Sequence, residues 1–152
     1  MNLSAHVISS LPLALASYMF AHSLSAAAGV LIGGVLIDVD HVVEFWYDRG
    51  ISFNVHSFFS YAQSGVNSRF FVIFHSIELL FLMALCVCSD YESFLFRGIV
   101  IGMALHLLLD YINITRWFGY RWYSLVIFSF LFRLLFKFDR RAIDRVTRRS
   151  TA

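Results

Sequence analysis

Apolar residues dominate five runs of the chain, separated by short polar breaks. They predict helices over residues 7–20, 24–37, 71–87, 94–112 and 122–138. A full membrane crossing needs about 20 apolar residues, and about 17 at the least. The last three runs meet that length. The first two, at roughly 14 residues, predict tilted or incompletely crossing helices. Between the second and third runs lies a long connection, 39–69, rich in Phe45, Trp46, Tyr47, Phe53, Phe58, Phe59 and Tyr61. Trp and Tyr favour the lipid–water interface, so this segment is expected on the membrane surface, closed by a turn at 63–68 that holds Gly65 and Asn67. The pattern predicts an all-α integral membrane bundle of about five helices. It forms one domain over 1–138 with a basic tail over 139–152.

Composition agrees. The chain is 59% hydrophobic and 14% charged, with a mean hydropathy of +0.72. A soluble domain is about half apolar and about a quarter charged. The net charge of +2 matters less than its placement, because six of the twelve basic residues fall between Lys137 and Arg149. This run follows a hydrophobic helix without interleaved aromatics. It reads as a juxtamembrane anchor for anionic lipids and not as a nucleic-acid surface. Basic flanks stay in the cytoplasm, which puts the C-terminus inside an inner (plasma) membrane, against the weaker pull of Arg116 and Arg121. Cys86 and Cys88, two apart in an apolar run, read as packing residues. No basic residue precedes the first apolar run, so a cleavable signal is not expected.

The ionisable residues in and beside the helices change the picture most. They are His6, Asp38, Asp40, His41, His75, Glu78, His106 and Asp110, with His22 apart. A charged group at the centre of a spanning helix costs about 2.5–3.5 kcal/mol on insertion scales, so each needs a reason. If every helix crosses, all of these except His22 lie at helix ends on the same, outer, side. Asp38 and His41 are i,i+3, as are His75 and Glu78, while His106 and Asp110 are i,i+4. Each pair shares a helix face. Imidazole and carboxylate together, without thiolate, suit zinc, manganese or iron. The expected ligands are His6, Asp38, His41, His75, His106 and Asp110, for one or two divalent ions, zinc before manganese. Asp40 or Glu78 is left as general base or bridging carboxylate. His22 and His56 read as ordinary polar contacts.

Four segments resemble the YdjM-type inner-membrane metal-dependent hydrolases. That family shows an early His, matched by His6, and a small-residue helix ending in Pro-Asp-x-Asp-His. Gly33 to His41 match the second element, with Ile37 in place of the proline. Phe74-His75-Ser76 is similar to its Thr-His-Ser element, and Gly102 to Asp110 to its Gly-x-x-x-His-x-x-x-Asp element. The resemblance covers about residues 1–115. It departs at Ser68-Arg69-Phe70-Phe71, where the family often has His-Arg-Gly; Glu78 is the candidate substitute. The family is distantly similar to the all-helical zinc phospholipases C, which implies phosphoester hydrolysis at the membrane surface.

A metal-dependent hydrolase is therefore the leading expectation. Two others stand beside it. A proton or metal-ion carrier would use the same His/Asp chain as a relay, although transporters usually show internal repeats and broken helices and this chain has a single proline, Pro12, and no repeat. A non-catalytic, metal-stabilised membrane protein would close its coordination shell.

Overall fold

The computed structural model describes residues 3–64, 68–88, 93–117 and 122–147. Among the described residues every regular element is a helix, as the apolar runs predict. Helix α1 is Leu3–Ala21 and α2 is Leu24–Val35; a 3-10 turn, Leu36–Val39, then leads directly into α3, Asp40–Arg49. Next come α4 (Val55–Ser64), α5 (Ile77–Cys88), α6 (Phe94–Trp117), a 3-10 run (Trp122–Phe128), α7 (Phe130–Leu135) and α8 (Arg140–Thr147). The predicted turn at 63–68 falls partly outside the described residues, as does the end of the basic tail.

Three helix boundaries differ from the expectation. The second apolar run does not end at Ile37. It continues to Arg49, and this 26-residue stretch is long and apolar enough to cross a membrane, as is Phe94–Arg116. The third run starts its helix at Ile77, not near residue 71. Side-chain carboxylates take the preceding backbone donors: Glu44 accepts the Phe71 N–H and Asp40 the Phe74 N–H. The fifth run is not one helix. Ser129 accepts the Phe132 N–H at 3.1 Å to start a new one, and Lys137 and Phe138 close it with positive φ values of 52° and 58°. Ile77–Cys88 and His6–Ala21 are apolar but shorter than a span.

The chain divides into two compact units. The first comprises Met1–Ile37 and Ile77–Asp110. Within it α2 and α6 approach backbone to backbone. A Cβ on Gly29 or Gly33 would strike the carbonyls of Leu95 or Ile99, and one on Gly98 or Gly102 those of Ala26 or Val30. The two Gly-x-x-x-Gly pairs thus let the backbones touch, the device that membrane helices use where side chains would hold them apart. Gly34, next on α2, faces Ser10 of α1. The outside of this unit is apolar: Ile8, Leu11, Leu15 and Met19 form an exposed stripe along α1, and no described side chain of α5 is buried.

The second unit comprises Asp38–Ser76 and Tyr111–Ala152. Phe45 of α3 packs against Phe58 and Tyr61 of α4, with ring centroids 5.8 and 5.4 Å apart. The Tyr61 hydroxyl donates to Asp48 at 2.6 Å. Burial, and then the bond to this carboxylate, push the phenol pKa well above its usual range, so it stays a neutral donor. The predicted basic tail is partly an ordered, amphipathic helix: α8 is capped by Asp139, which accepts the Ala142 N–H at 2.9 Å. Ile143 of α8 is fully buried on Ile127 with Phe70, Phe132 and Phe136 around it.

Candidate metal centres

The six expected ligands fall into two triads, one in each unit. Within a triad, ligand atoms lie no more than 4.8 Å apart, so each can hold a metal ion.

The first triad is His6 of α1 with His106 and Asp110 of α6. The helix register supplies the last two, since i and i+4 stand one above the other. The α2–α6 contact supplies the orientation. It brings the Gly34 carbonyl to 2.9 Å from His106 Nδ1. A carbonyl only accepts, so Nδ1 carries the proton and a neutral His106 presents the lone pair of Nε2. That lone pair faces Asp110 Oδ2 at 3.3 Å. Two acceptors at this distance repel unless a proton or a metal ion lies between them. His6 stacks on His106, with centroids 3.8 Å apart and planes 10° off parallel, and its Nε2 lies 3.2 Å from Asp110 Oδ1. His6 Nδ1 is buried and has no hydrogen-bond partner among the described residues. An orphan of this kind costs about 1–3 kcal/mol. The donor set, two imidazoles and a carboxylate, fits a bound cation.

The second triad is Asp38, His41 and His75. Here the supporting shell is explicit. His41 Nδ1 donates to Glu44 Oε2 at 3.0 Å, and His75 Nδ1 lies 3.4 Å from Asp40 Oδ2. With a carboxylate on each Nδ1, both Nε2 lone pairs turn toward Asp38 Oδ1, at 3.8 and 3.4 Å. A carboxylate behind each imidazole is the arrangement that fixes tautomer and raises basicity at metal sites. His75 is buried, whereas the side chains of His41 and Asp38 are 29% and 22% exposed. This triad has an open side; in the first, the three ligand residues are buried.

Asp40 Oδ2 accepts the Phe74 N–H and lies behind His75, 3.4 Å from its Nδ1. Glu78 lies in the first turn of α5 and belongs to neither triad. Two residues were not singled out from sequence. Glu44 is 1% exposed and serves His41. Arg133 of α7, also fully buried, donates from its guanidinium to the carbonyls of Val72 and His75, and so pins the bend that carries His75. Its signal was present in the sequence, as an arginine inside an apolar run. His22 occupies the α1–α2 turn with a φ of 47°, and His56 lies on α4; neither joins a triad. Comparisons with protein-family models, with curated proteins and with solved structures found no match.

Proposed function

We propose that the chain is a multi-pass inner-membrane, metal-dependent hydrolase that acts on a phosphoester at the membrane surface. The observation that carries this reading is the second triad, in which two imidazoles, each backed by its own carboxylate, aim their Nε2 atoms at one aspartate on a partly exposed face. The likeness of Asp38-Val39-Asp40-His41 and of Gly102 to Asp110 to the YdjM-type motifs supports it. Membrane residence is supported by the two spanning-length helical runs and by the inversion of polarity in the first unit, with His6, Ser10 and His106 inside and an apolar stripe outside.

A divalent ion, zinc before manganese, would supply a water of lowered pKa and a Lewis acid for a phosphoryl oxygen. Asp38, His41 and His75 would hold it. Glu44 and Asp40 keep each Nδ1 protonated, and Arg133 holds the His75 backbone in place. The exposed edge of His41 and Asp38 leaves room for substrate. The first triad, with its three ligand residues buried, suits a second ion with a structural role. The C-terminus is placed in the cytoplasm, where Arg141 and Arg145 of α8 would meet anionic lipids.

The test is metal analysis of protein purified in mild detergent, beside His106→Ala/Asp110→Ala and His75→Ala variants, with hydrolysis of a chromogenic phosphodiester. The expected result is two equivalents of zinc, one lost in each variant, with hydrolysis lost in His75→Ala. Metal content that neither variant changes would remove the proposal. Protein that stays metal-free after reconstitution would favour the proton-relay reading, since the same lone pairs must then take protons.

A further inference from the structure

The second unit also holds a cavity of about 420 Å³ that the metal centres do not use. Its floor is Phe45 and Tyr61, and its walls bring together Arg49, His56, Ser52, Ser57 and Ser60. Such a set is unusual for an open hollow: one fixed cation, an imidazole and three hydroxyls, with no carboxylate lining it. Asp48, the acid next to Arg49, is bound instead to Tyr61 and Ser68. Among the described residues, the side chains of Arg49, His56, Ser57 and Ser60 have no hydrogen-bond or ion-pair partner. Ser52 Oγ accepts the Asn54 N–H, which leaves its own proton to donate.

The loop beside the cavity is built and held. Gly50 turns the chain with a φ of 80°, Trp46 Nε1 donates to the Ser52 carbonyl at 2.9 Å, and Asn54 accepts the Ser57 N–H at 3.0 Å. Yet the same loop presents Ile51, Phe53 and Val55 almost bare, with Phe53 83% exposed and braced edge-on by Trp46 at 5.7 Å. Arg49 is also the last residue of the Leu24–Arg49 run, which is long and apolar enough to cross a membrane. About 20 residues of that 26-residue run suffice to cross the hydrocarbon core, so Arg49 falls beyond it, among the head groups, with the cationic pocket and its apolar rim.

We infer that this pocket binds the phosphate of an anionic phospholipid, with Ile51, Phe53 and Val55 entering the acyl region beside it. Arg49 supplies a bidentate phosphate contact, and the serines and His56 donate to the remaining oxygens. The pocket is distinct from the second triad. Arg49 is eight residues beyond His41 on α3, about 12 Å along a helix axis. The inference rests on the membrane placement proposed above but not on the metal.

The test uses the full chain in neutral detergent, given equimolar phosphatidylglycerol and phosphatidylcholine, with bound lipid counted by native mass spectrometry. The expected result is a preference for phosphatidylglycerol of about tenfold: both lipids carry the phosphate, but the choline of phosphatidylcholine brings a second cation beside Arg49. Arg49→Gln should abolish the preference, while Arg116→Gln, an exposed arginine at the end of α6, should leave it intact. Phe53→Ser should weaken retention of both lipids. Arg49 makes no hydrogen bond or ion pair among the described residues, and Asp48, the carboxylate its charge favours, stays held by Tyr61 and Ser68, so the variant should unfold close to the wild-type temperature. A preference that survives Arg49→Gln, or that disappears in Arg116→Gln, overturns the inference. Full displacement of the lipid by millimolar inorganic phosphate would mark a free-anion site and overturn the lipid assignment. Metal content is measured on the same samples, so a metal-free protein that still selects phosphatidylglycerol fails the hydrolase reading alone. Release of the protein from membranes by alkaline carbonate would fail the membrane placement.

Discussion

Consider Glu44→Gln. Both oxygens of the buried glutamate are used: Oε1 accepts the Phe71 N–H at 2.9 Å and Oε2 accepts the His41 Nδ1–H at 3.0 Å. Glutamine keeps the shape but has one acceptor and one donor end. The amide oxygen must stay on Phe71, because a backbone N–H has no other tautomer. The NH2 then faces His41 Nδ1 and can only donate. The imidazole responds by moving its proton to Nε2, and the lone pair that pointed toward Asp38 is gone. Loss of an outer carboxylate of this kind costs roughly 10- to 100-fold in metal affinity, or about 1.4–2.7 kcal/mol. The side-chain volume and the Phe71 bond are retained, so the fold should be too. Zinc affinity would be read by competition against a chromophoric chelator in detergent, with circular dichroism on the same samples. One of the two zinc sites should weaken by that factor while the site at His6, His106 and Asp110 keeps its affinity. Wild-type affinity at both sites, with unchanged helicity, would refute the claim that Glu44 sets the tautomer of a ligand.

Three other outcomes follow from the same structure. Gly102→Ala places a methyl group against the Val30 carbonyl, so α2 and α6 must part; the thermal midpoint in detergent should fall by the equivalent of about 1–3 kcal/mol, and zinc at His106, one turn on, should weaken as well. Arg133→Met leaves the Val72 and His75 carbonyls without their guanidinium donor, at about 1–3 kcal/mol for each orphan, so both the midpoint and zinc binding at His75 should drop. Tyr61→Phe removes the bond to Asp48, worth about 1.5–3 kcal/mol for a charged acceptor. Because folding raises the Tyr61 pKa, that stabilisation is fully present below the unfolded value near 10 and is lost as pH climbs toward the folded one. The gap between wild type and Tyr61→Phe in a series of thermal scans should therefore hold to about pH 9 and narrow above about pH 10.

How much of this was legible in the sequence depends on what each feature rests on. Helicity rests on apolar periodicity and length, both local, and each of the five runs holds a helix. Boundaries rest on where backbone donors go, which is a tertiary matter. Nothing in Phe71-Val72-Ile73-Phe74 says that Glu44 and Asp40 will take two of its N–H groups, yet that is why the helix waits until Ile77. The run over 122–138 looked like a span because hydropathy averages Arg133 away. In the structure that arginine is the fixed point around which the segment breaks, because a buried guanidinium has to reach carbonyls that a straight helix could not offer it.

The candidate ligands stand out in the sequence because ionisable groups in apolar surroundings are conspicuous, and their spacing of three and four survives in any helix. Their division into two triads was not, since it depends on which helices touch, and the α2–α6 contact is made by glycines that carry no chemical signature of a partner. Glu44 shows the limit most clearly. Asp38, His41 and Glu44 are each three apart, and two such steps on a helix keep to one face. A second helix that ends at Ile37 breaks that register and leaves Glu44 in a surface connection, where a carboxylate is unremarkable. Once the 3-10 turn Leu36–Val39 joins α2 to α3, the same three residues become a carboxylate, an imidazole and a second carboxylate in line. The hidden information was therefore the continuity of the helix, not the identity of any residue. A polar spacing of three that runs past the end of an apolar run is itself a reason to extend the helix.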